Sequence, residues 1–540
     1  MSTNKVWLSH YPEYIAKELL IQAKSIPEMF NEAVESFPSH YCLSFFGEKK
    51  TYKEVRTTVT SLASALQLNR VQKGDRVAIM LPNCPQYVIS FYGILTVGGI
   101  VTQVNPMSVE RELKDLLNDS GAETIIVLNS LYPTVKSIMD ETKLRNIIVV
   151  SLTESQENYE SGISFEKFLQ SGSQDVKEVN INCEEDIAIL QYTGGTTGRS
   201  KGVMLTHRNL YANILQQKEF FKGAFDQGRE RVLSIIPFFH VYGMTVCINL
   251  SVFMGNEMII LPRFEVQEVL NTIKSEQPTL FPGVPTMYVA LINHPESEKY
   301  GIDTMKICNS GSAPMPVELM KQFENKTGAM ILEGYGLSEA SPTTHCNPAF
   351  AVRKPGTVGI PYPSTDSKIV DLANGVDEVP VGEIGELIIK GPQVMKGYWN
   401  LPEETANTIK DGWLYTGDIA SVDEDGYVTI LDRKKDMIIA SGFNIYPREI
   451  EEVIYEHPLV KEAVVIGVPD NYRGETVKAV IVLKDGMNVS SVEMIEYCKS
   501  NLAAYKVPRM IEFRNELPKT NVGKILRRAI RETENSIHQR

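Results

Sequence analysis

The stretch Tyr192-Thr-Gly-Gly-Thr-Thr-Gly-Arg-Ser-Lys-Gly-Val203 decides how this chain is read. An apolar, strand-like run from Ile187 to Leu190 precedes it, and helix-like spacing begins near His207. Gly194, Gly195 and Gly198 let the backbone approach an anion closely, and successive N–H groups form a concave nest for phosphate oxygens. Thr193, Thr196, Thr197 and Ser200 add hydroxyl donors, and Lys201 adds a full positive charge. The donor set suits a polyphosphate. The Walker pattern G-x-x-x-x-G-K-[ST] cannot be laid on it. A flexible Gly/Thr linker is the bland alternative, and the ordered elements on either side argue against it.

Bulk properties narrow the class. At 540 residues the chain exceeds one ordinary core, so two or more domains are expected. A hydrophobic share of 43% with 22% charged residues is that of a soluble globular protein. The net charge of −13 argues against nucleic-acid binding by counterion release. It also means that an anionic nucleotide needs a local positive site. Seven scattered cysteines, without a C-x-x-C pair, point to a reduced, cytoplasmic compartment without a disulfide framework or structural zinc. The eight histidines form no H-E-x-x-H, and the charged N-terminus lacks a signal peptide's apolar core. Val232 to Asn256 carries no Asp, Glu, Lys or Arg and is long enough to cross a bilayer. Pro237, His240, Gly243 and Asn249 interrupt it, so a buried strand, loop and helix are expected instead. No basic patch supports peripheral membrane association, which stays open, as does the choice between monomer and homodimer.

Along the chain, a helix is expected over Tyr52–Leu68, a strand at Arg76–Leu81 and a helix from about Pro85 to Val97. Further strands fall at 124–128, 146–151, 187–193, 231–237, 257–261 and 306–309, with helical spacing between most of them. Such alternation implies an α/β fold with mostly parallel sheets and helices on their faces. After Gly382 short alternating strands mark a small β unit. Asp432-Arg-Lys-Lys-Asp436 then reads as a linker between compact blocks rather than an ordinary solvated charge run. The remainder reads as a small α+β domain, with helices at 447–455 and 491–502 and strands near 462–468 and 476–483. The expected division is 1–431, a linker at 432–436, and 437–540.

The loop resembles the phosphate loop of the adenylate-forming (acyl-CoA synthetase, luciferase-like) superfamily. Pro237-Phe-Phe-His-Val-Tyr-Gly243, Gly311-Ser-Ala-Pro314, Glu333-Gly-Tyr-Gly-Leu-Ser-Glu-Ala-Ser-Pro342, Tyr415-Thr-Gly-Asp418, Asp432-Arg433 and Pro518-Lys-Thr-Asn-Val-Gly-Lys524 resemble its other core motifs, in the same order over essentially the whole chain. The opening Val6-Trp-Leu-Ser-His-Tyr-Pro12 is similar to that of bacterial long-chain fatty acid–CoA ligases.

The resemblance implies a large N-terminal domain, a small mobile C-terminal domain, and roles for individual residues. Glu339 would be the Mg²⁺ ligand, a hard oxygen suited to a cation that binds few protein groups beside phosphates. The family usually has Thr before this Glu; Ser338 keeps the hydroxyl. Asp418 would accept from the ribose hydroxyls, and Arg433 would donate to ribose or phosphate. Gly311, Ser312, Ala313, Pro314, Glu333, Gly334, Tyr335 and Gly336 would wall the adenine, with Tyr335 stacked on it. Lys524 would reach the carboxylate and α-phosphate and stabilise charge in the transition state. His240 would close over the acyl carboxylate; as a lone His among apolar residues it reads equally as a core histidine. Phe238 and Tyr242 are candidates for the acyl pocket or the core. Lys435 would be the hinge, and Ser441 and Gly442 would line the path of CoA.

The implied reaction is attack of a carboxylate on Mg·ATP to give acyl-AMP and pyrophosphate, followed by transfer to CoA. A medium- to long-chain fatty acid is the expected substrate. The alternatives are an aryl (coumarate-type) CoA ligase, an acyl-AMP ligase serving a carrier protein, luciferase-like oxidation of the adenylate, and a non-catalytic acyl-nucleotide sensor, against which the intact Lys524 and Glu339 count.

Overall fold

The computed structural model describes residues 5–152, 159–193, 200–313, 315–440, 443–470, 473–520 and 525–538. The helix Tyr52–Leu68 forms at its expected bounds. Its start is fixed locally: the Thr51 hydroxyl accepts from the Glu54 N–H at 3.3 Å, and Glu54 accepts from the Thr51 N–H at 2.7 Å. Val55, Val59, Leu62 and Leu66 then recur at helical spacing and are buried.

Two large sheets flank such helices. One has eight strands, in the order Gly397–Tyr398, Lys201–Thr206, Ile187–Thr193, Ile100–Gln103, Arg76–Met80, Thr124–Leu128, Asn146–Val150 and Ile163–Ser164. From Ile187–Thr193 onward all are parallel. The other has nine strands, parallel from Tyr41–Phe45 through Glu257–Ile260, Arg231–Ser234, Leu280–Gly283 and Ile307–Ser310 to Met330–Gly336. Antiparallel strands close its two edges. The inner strands are almost wholly buried, as helix-covered parallel sheets require. Val101 and Ile189 of one sheet, Leu233 and Ile259 of the other, and helix residues Phe30 and Tyr92 share one core.

One strand was not legible. Lys201–Thr206 lies between the glycine-rich loop and the helix His207–Phe220, and it runs antiparallel to Ile187–Thr193. The loop therefore closes a hairpin rather than leading directly into a helix. Val232–Asn256 resolves as expected into a strand ending at Ser234, a loop, a π-helical turn Gly243–Asn249 and the helix Leu250–Met254. Among the described residues no helix is long and apolar enough to cross a membrane.

The small β unit is built from Asp366–Val370, Gly385–Lys390, Trp413–Val422, Ile409–Lys410 and Val428–Arg433. Beyond it, Val460–Asp470 and Gly474–Leu483 pair antiparallel, Met510–Phe513 adds a parallel strand, and Pro447–Tyr455 and Ser491–Asn501 cover the sheet. Ile450, Ile454, Val465, Ile481 and Met494 form a separate core there.

The charge run is less open than its composition suggests. Asp432 and Arg433 finish the strand Val428–Arg433. Asp432 is buried and accepts from the Arg448 N–H at 3.2 Å and from Arg527 Nη1 at 3.3 Å. An anion in this position ties the β unit to two helices of the C-terminal portion.

Candidate active site

Hairpin register places Thr193 opposite Lys201 at the base of the glycine-rich loop. Gly194, Gly195, Thr196, Thr197 and Gly198 lie outside the described residues. Lys201 Nζ pairs with Glu404 and sits 5.1 Å from the ring centroid of Tyr398. The Tyr398 hydroxyl donates to Glu339 Oε1 at 2.8 Å. Tyr398 is held there because Gly397–Tyr398 forms the edge strand beside Lys201–Thr206, with Tyr398 opposite Val203. The Met395 N–H donates to the Glu339 carbonyl at 2.8 Å, which fixes the short turn Ser338–Ala340. Two expected site residues from distant segments thus meet on one tyrosine. Sequence reading missed Tyr398, since Lys396-Gly-Tyr-Trp399 bears no chemical pattern of its own.

The segments expected to wall the nucleotide lie at the ends of parallel strands. Gly311 follows Ile307–Ser310, and a Cβ there would lie 3.3 Å from the Tyr242 ring. Ser312, with φ +66°, turns the chain away, and Ala313 beside it is half-buried; Pro314 lies outside the described residues. Glu333, Gly334, Tyr335 and Gly336 end the neighbouring strand. Gly336 is required sterically, because a Cβ would come within 2.2 Å of the Pro342 carbonyl oxygen. Glu333 is buried and accepts from the Gly356 N–H at 3.0 Å; desolvation pushes its carboxyl up to about 7.

Asp418 and Arg433 are cross-strand partners, with Arg433 Nε 3.3 Å from Asp418 Oδ1. The Tyr335 hydroxyl donates to Asp418 Oδ2. Burial, followed by the charge of Asp418, raises the phenol's pKa, so Tyr335 stays a donor. Its ring meets His345 edge-on at 6.0 Å. Among the described residues each Asp418 oxygen meets one of these two groups, and a carboxylate oxygen can accept a second donor.

Buried amides strap the His240 loop to the eight-stranded sheet. Asn83 Oδ1 accepts from the Phe238 N–H at 2.7 Å, and Gln191 Nε2 donates to the Phe239 carbonyl at 3.1 Å. His240 Nδ1 accepts from the Tyr242 N–H at 3.2 Å, which leaves the proton of a neutral ring on Nε2.

The Tyr242 hydroxyl donates to the Asn309 carbonyl and side-chain oxygens, both at 2.8 Å. Asn309 is one wall of an apolar cavity whose lining includes Phe221, Val232, Val246, Leu250 and Phe281. Phe238 faces elsewhere: it is fully buried and packs edge-on against Tyr87 at 5.6 Å.

Lys524, Ser441 and Gly442 lie outside the described residues. Lys519 and Ile525, on either side of the Lys524 segment, are joined by a β-bridge. Lys435 is exposed in the turn after Arg433, and its carbonyl accepts from Arg531 at 3.5 Å. Among the described residues no group of three or more His, Cys, Asp or Glu gathers as a metal cage. A lone carboxylate beside a polyphosphate fits Mg²⁺, which keeps most of its waters. Glu339 supplies one, with Oε1 already oriented by Tyr398.

Strand-end glycines, a phosphate-type hairpin loop and a carboxylate–arginine pair define a nucleotide-binding α/β enzyme, and sequence comparison specifies which. Residues 30–399 match the AMP-binding enzyme family and residues 449–524 match the AMP-binding enzyme C-terminal domain. The chain belongs to this family. It is 48% identical to the long-chain-fatty-acid–CoA ligase of Bacillus subtilis (strain 168), with all of both chains covered. It superposes on an anthranilate CoA ligase in complex with anthranoyl-AMP with a TM-score of 0.89 at 27% identity, covering 97% of this chain and 99% of that one. A Mycobacterium tuberculosis fatty acyl CoA synthetase gives a TM-score of 0.72 at 29% identity, covering 95% and 99%.

Proposed function

We propose that this protein activates a medium- to long-chain fatty acid with ATP and transfers it to CoA, releasing AMP and pyrophosphate. The observation that carries the proposal is the convergence of Lys201, Tyr398 and Glu339 at the base of the glycine-rich hairpin. Full-length similarity to long-chain-fatty-acid–CoA ligases supports the choice of acid, and so does the apolar cavity beneath Tyr242 and Asn309.

In this reading the loop amides, Thr193 and Lys201 hold the polyphosphate, and Glu339 holds Mg²⁺. The cation, when bound, neutralises charge on the phosphate oxygens. Asp418 and Arg433 orient the ribose, while the segments at 311–314 and 333–336 contain the base. His240, with Nε2–H as donor, holds the acyl carboxylate, which is ionised at neutral pH and needs no base. The carboxylate oxygen bonds to the α-phosphorus as pyrophosphate leaves, and the Lys524 ammonium stabilises the charge that builds on the phosphoryl oxygens. The CoA sulfur then bonds to the acyl carbon and AMP departs. Lys524 must withdraw before the thiol enters, so the portion from 437 onward turns about Lys435, and Ser441 and Gly442 pass the pantetheine arm. Seven buried, unpaired cysteines suit a reducing, cytoplasmic setting.

Pyrophosphate release measured with acids from C2 to C18, benzoate and coumarate, each with and without CoA, tests the proposal. Release peaking at C8–C16 together with thioester formation is expected. Release without thioester moves the acceptor to a carrier protein, and no release by folded protein overturns the assignment.

A further inference from the structure

The cavity beside Tyr242 is lined mostly by apolar residues, joined by Gln217, Asn309 and Tyr362, and its far end is polar. Ser251 and Asn256 both line it. They are 1% and 3% exposed, and among the described residues neither Ser251 Oγ nor Asn256 Oδ1 has a hydrogen-bond partner. The backbone around them is fully engaged. The Asn256 N–H donates to the Ser251 carbonyl at 2.9 Å, and the Tyr52 hydroxyl bridges the carbonyls of Asn256 at 2.8 Å and Ser251 at 3.2 Å. Only the two side-chain ends are left over, in a corner otherwise walled by residues such as Phe221, Phe225 and Leu250. Buried polar atoms are ordinarily paired, and an orphaned pair on two residues that line a cavity asks for a ligand group that donates and accepts.

Strand register gives the depth of that corner. Ile307, Leu280 and Val232 are in register, and so are Val232 and Met258. Asn309 therefore lies four residues further along the strands than Asn256, and three strands away. These offsets correspond to about 13 Å along the strands and about 14 Å across them, or about 19 Å in all. Asn309 marks the end nearest the adenylate-forming site, through Tyr242. The polar corner thus lies where the far end of a long acyl chain would arrive, not near its carboxylate.

We propose that Ser251 and Asn256 make this a ligase for fatty acids hydroxylated at or near the ω end. The inference rests on the fatty acid reading above and deepens it. The terminal hydroxyl donates to Asn256 Oδ1 and accepts from Ser251 Oγ. A plain chain of the same length would leave both side chains unpaired, and a wholly apolar floor would reject the hydroxyl.

The test compares kcat/KM for CoA thioester formation with hexadecanoate, 16-hydroxyhexadecanoate and 2-hydroxyhexadecanoate. The full chain is used as purified protein and as Ser251→Ala, Asn256→Leu and the double variant. We expect the native enzyme to use the 16-hydroxy acid at least as well as the plain acid and better than the 2-hydroxy acid. The 16-hydroxy to plain ratio should fall about 10-fold or more in the double variant; as a ratio, it is unaffected by general loss of activity or folded fraction. A native ratio at or below about 0.1, or a ratio unmoved by the substitutions, overturns the inference and leaves the fatty acid reading standing. No thioester or pyrophosphate from any acid overturns both. Should the double variant fail to fold, the native ratio and the single variants decide.

Discussion

Tyr398 joins Lys201 to Glu339: its ring lies 5.1 Å from the ammonium nitrogen, and its hydroxyl donates to Glu339 Oε1 at 2.8 Å. The two charged residues are 138 positions apart in the chain, and this tyrosine of the edge strand contacts both. A carboxylate meant for a cation beside phosphates must be held before they arrive, and a hydrogen bond from outside the coordination sphere does this.

Tyr398→Phe should therefore lower kcat about 10-fold or more and raise the Mg²⁺ concentration needed for half-maximal rate, since one charge-assisted hydrogen bond contributes roughly 1.5–3 kcal/mol. Initial rates of pyrophosphate release across a Mg²⁺ titration check this. An unchanged Mg²⁺ dependence would remove Tyr398 from a positioning role.

Lys201 is paired with Glu404. A phosphate must displace that carboxylate, so Glu404→Gln should lower the KM for ATP by about 2- to 5-fold at low salt, in keeping with a partly exposed pair. The advantage should shrink as ionic strength rises. Steady-state kinetics at two salt concentrations read both effects.

Lys524→Ala should slow adenylation by about 10²–10³-fold or more. Under the proposed rotation about Lys435, thioester formation from supplied acyl-AMP and CoA should be far less affected, because the lysine would be withdrawn in that step. Measuring the two half-reactions separately distinguishes this from misfolding, which would depress both alike.

Glu333 has an ordinary carboxyl pKa of 4.5, pushed up to about 7 by burial. The folded state then holds a proton that the unfolded chain releases, so this residue's favourable share is complete below pH 4.5 and is lost as pH rises through 7. Glu333→Gln keeps an acceptor for the Gly356 N–H but cannot ionise. Its stability relative to the native protein should rise between pH 4.5 and pH 8 by on the order of 3 kcal/mol, because each tenfold difference in proton affinity between the folded and unfolded states is worth about 1.4 kcal/mol. Thermal midpoints of both proteins at matched pH values give the difference. A flat difference would mean that Glu333 is ionised when folded.

Much of the architecture was legible because it is local. Tyr52–Leu68 carries its own capping box and its own apolar stripe, and Thr124–Leu128 and Ile187–Thr193 are apolar runs of strand length. The glycine-rich stretch, the strand-end glycines and the ordered motifs likewise declared a nucleotide site without reference to anything distant. Lys201–Thr206 was hidden because its strand state depends on two partners, Ile187–Thr193 and Gly397–Tyr398. Asp432 read as the first residue of a linker, yet it ends a strand and pairs with Arg448 and Arg527, 16 and 95 positions away.

The sequence by itself determined the fold class, since strand and helix spacing suffice for it, and through its resemblance to the adenylate-forming superfamily it offered the glycine-rich loop and the ordered motif residues as candidates. Only the tertiary structure decided that Tyr398 stands between Lys201 and Glu339, that Phe238 faces the core rather than the cavity, and that Ser251 and Asn256 end that cavity unpaired. Contacts between distant segments leave no period in the chain. They exist once the sheets have paired, and each depends on register and packing across strands that the local sequence does not encode.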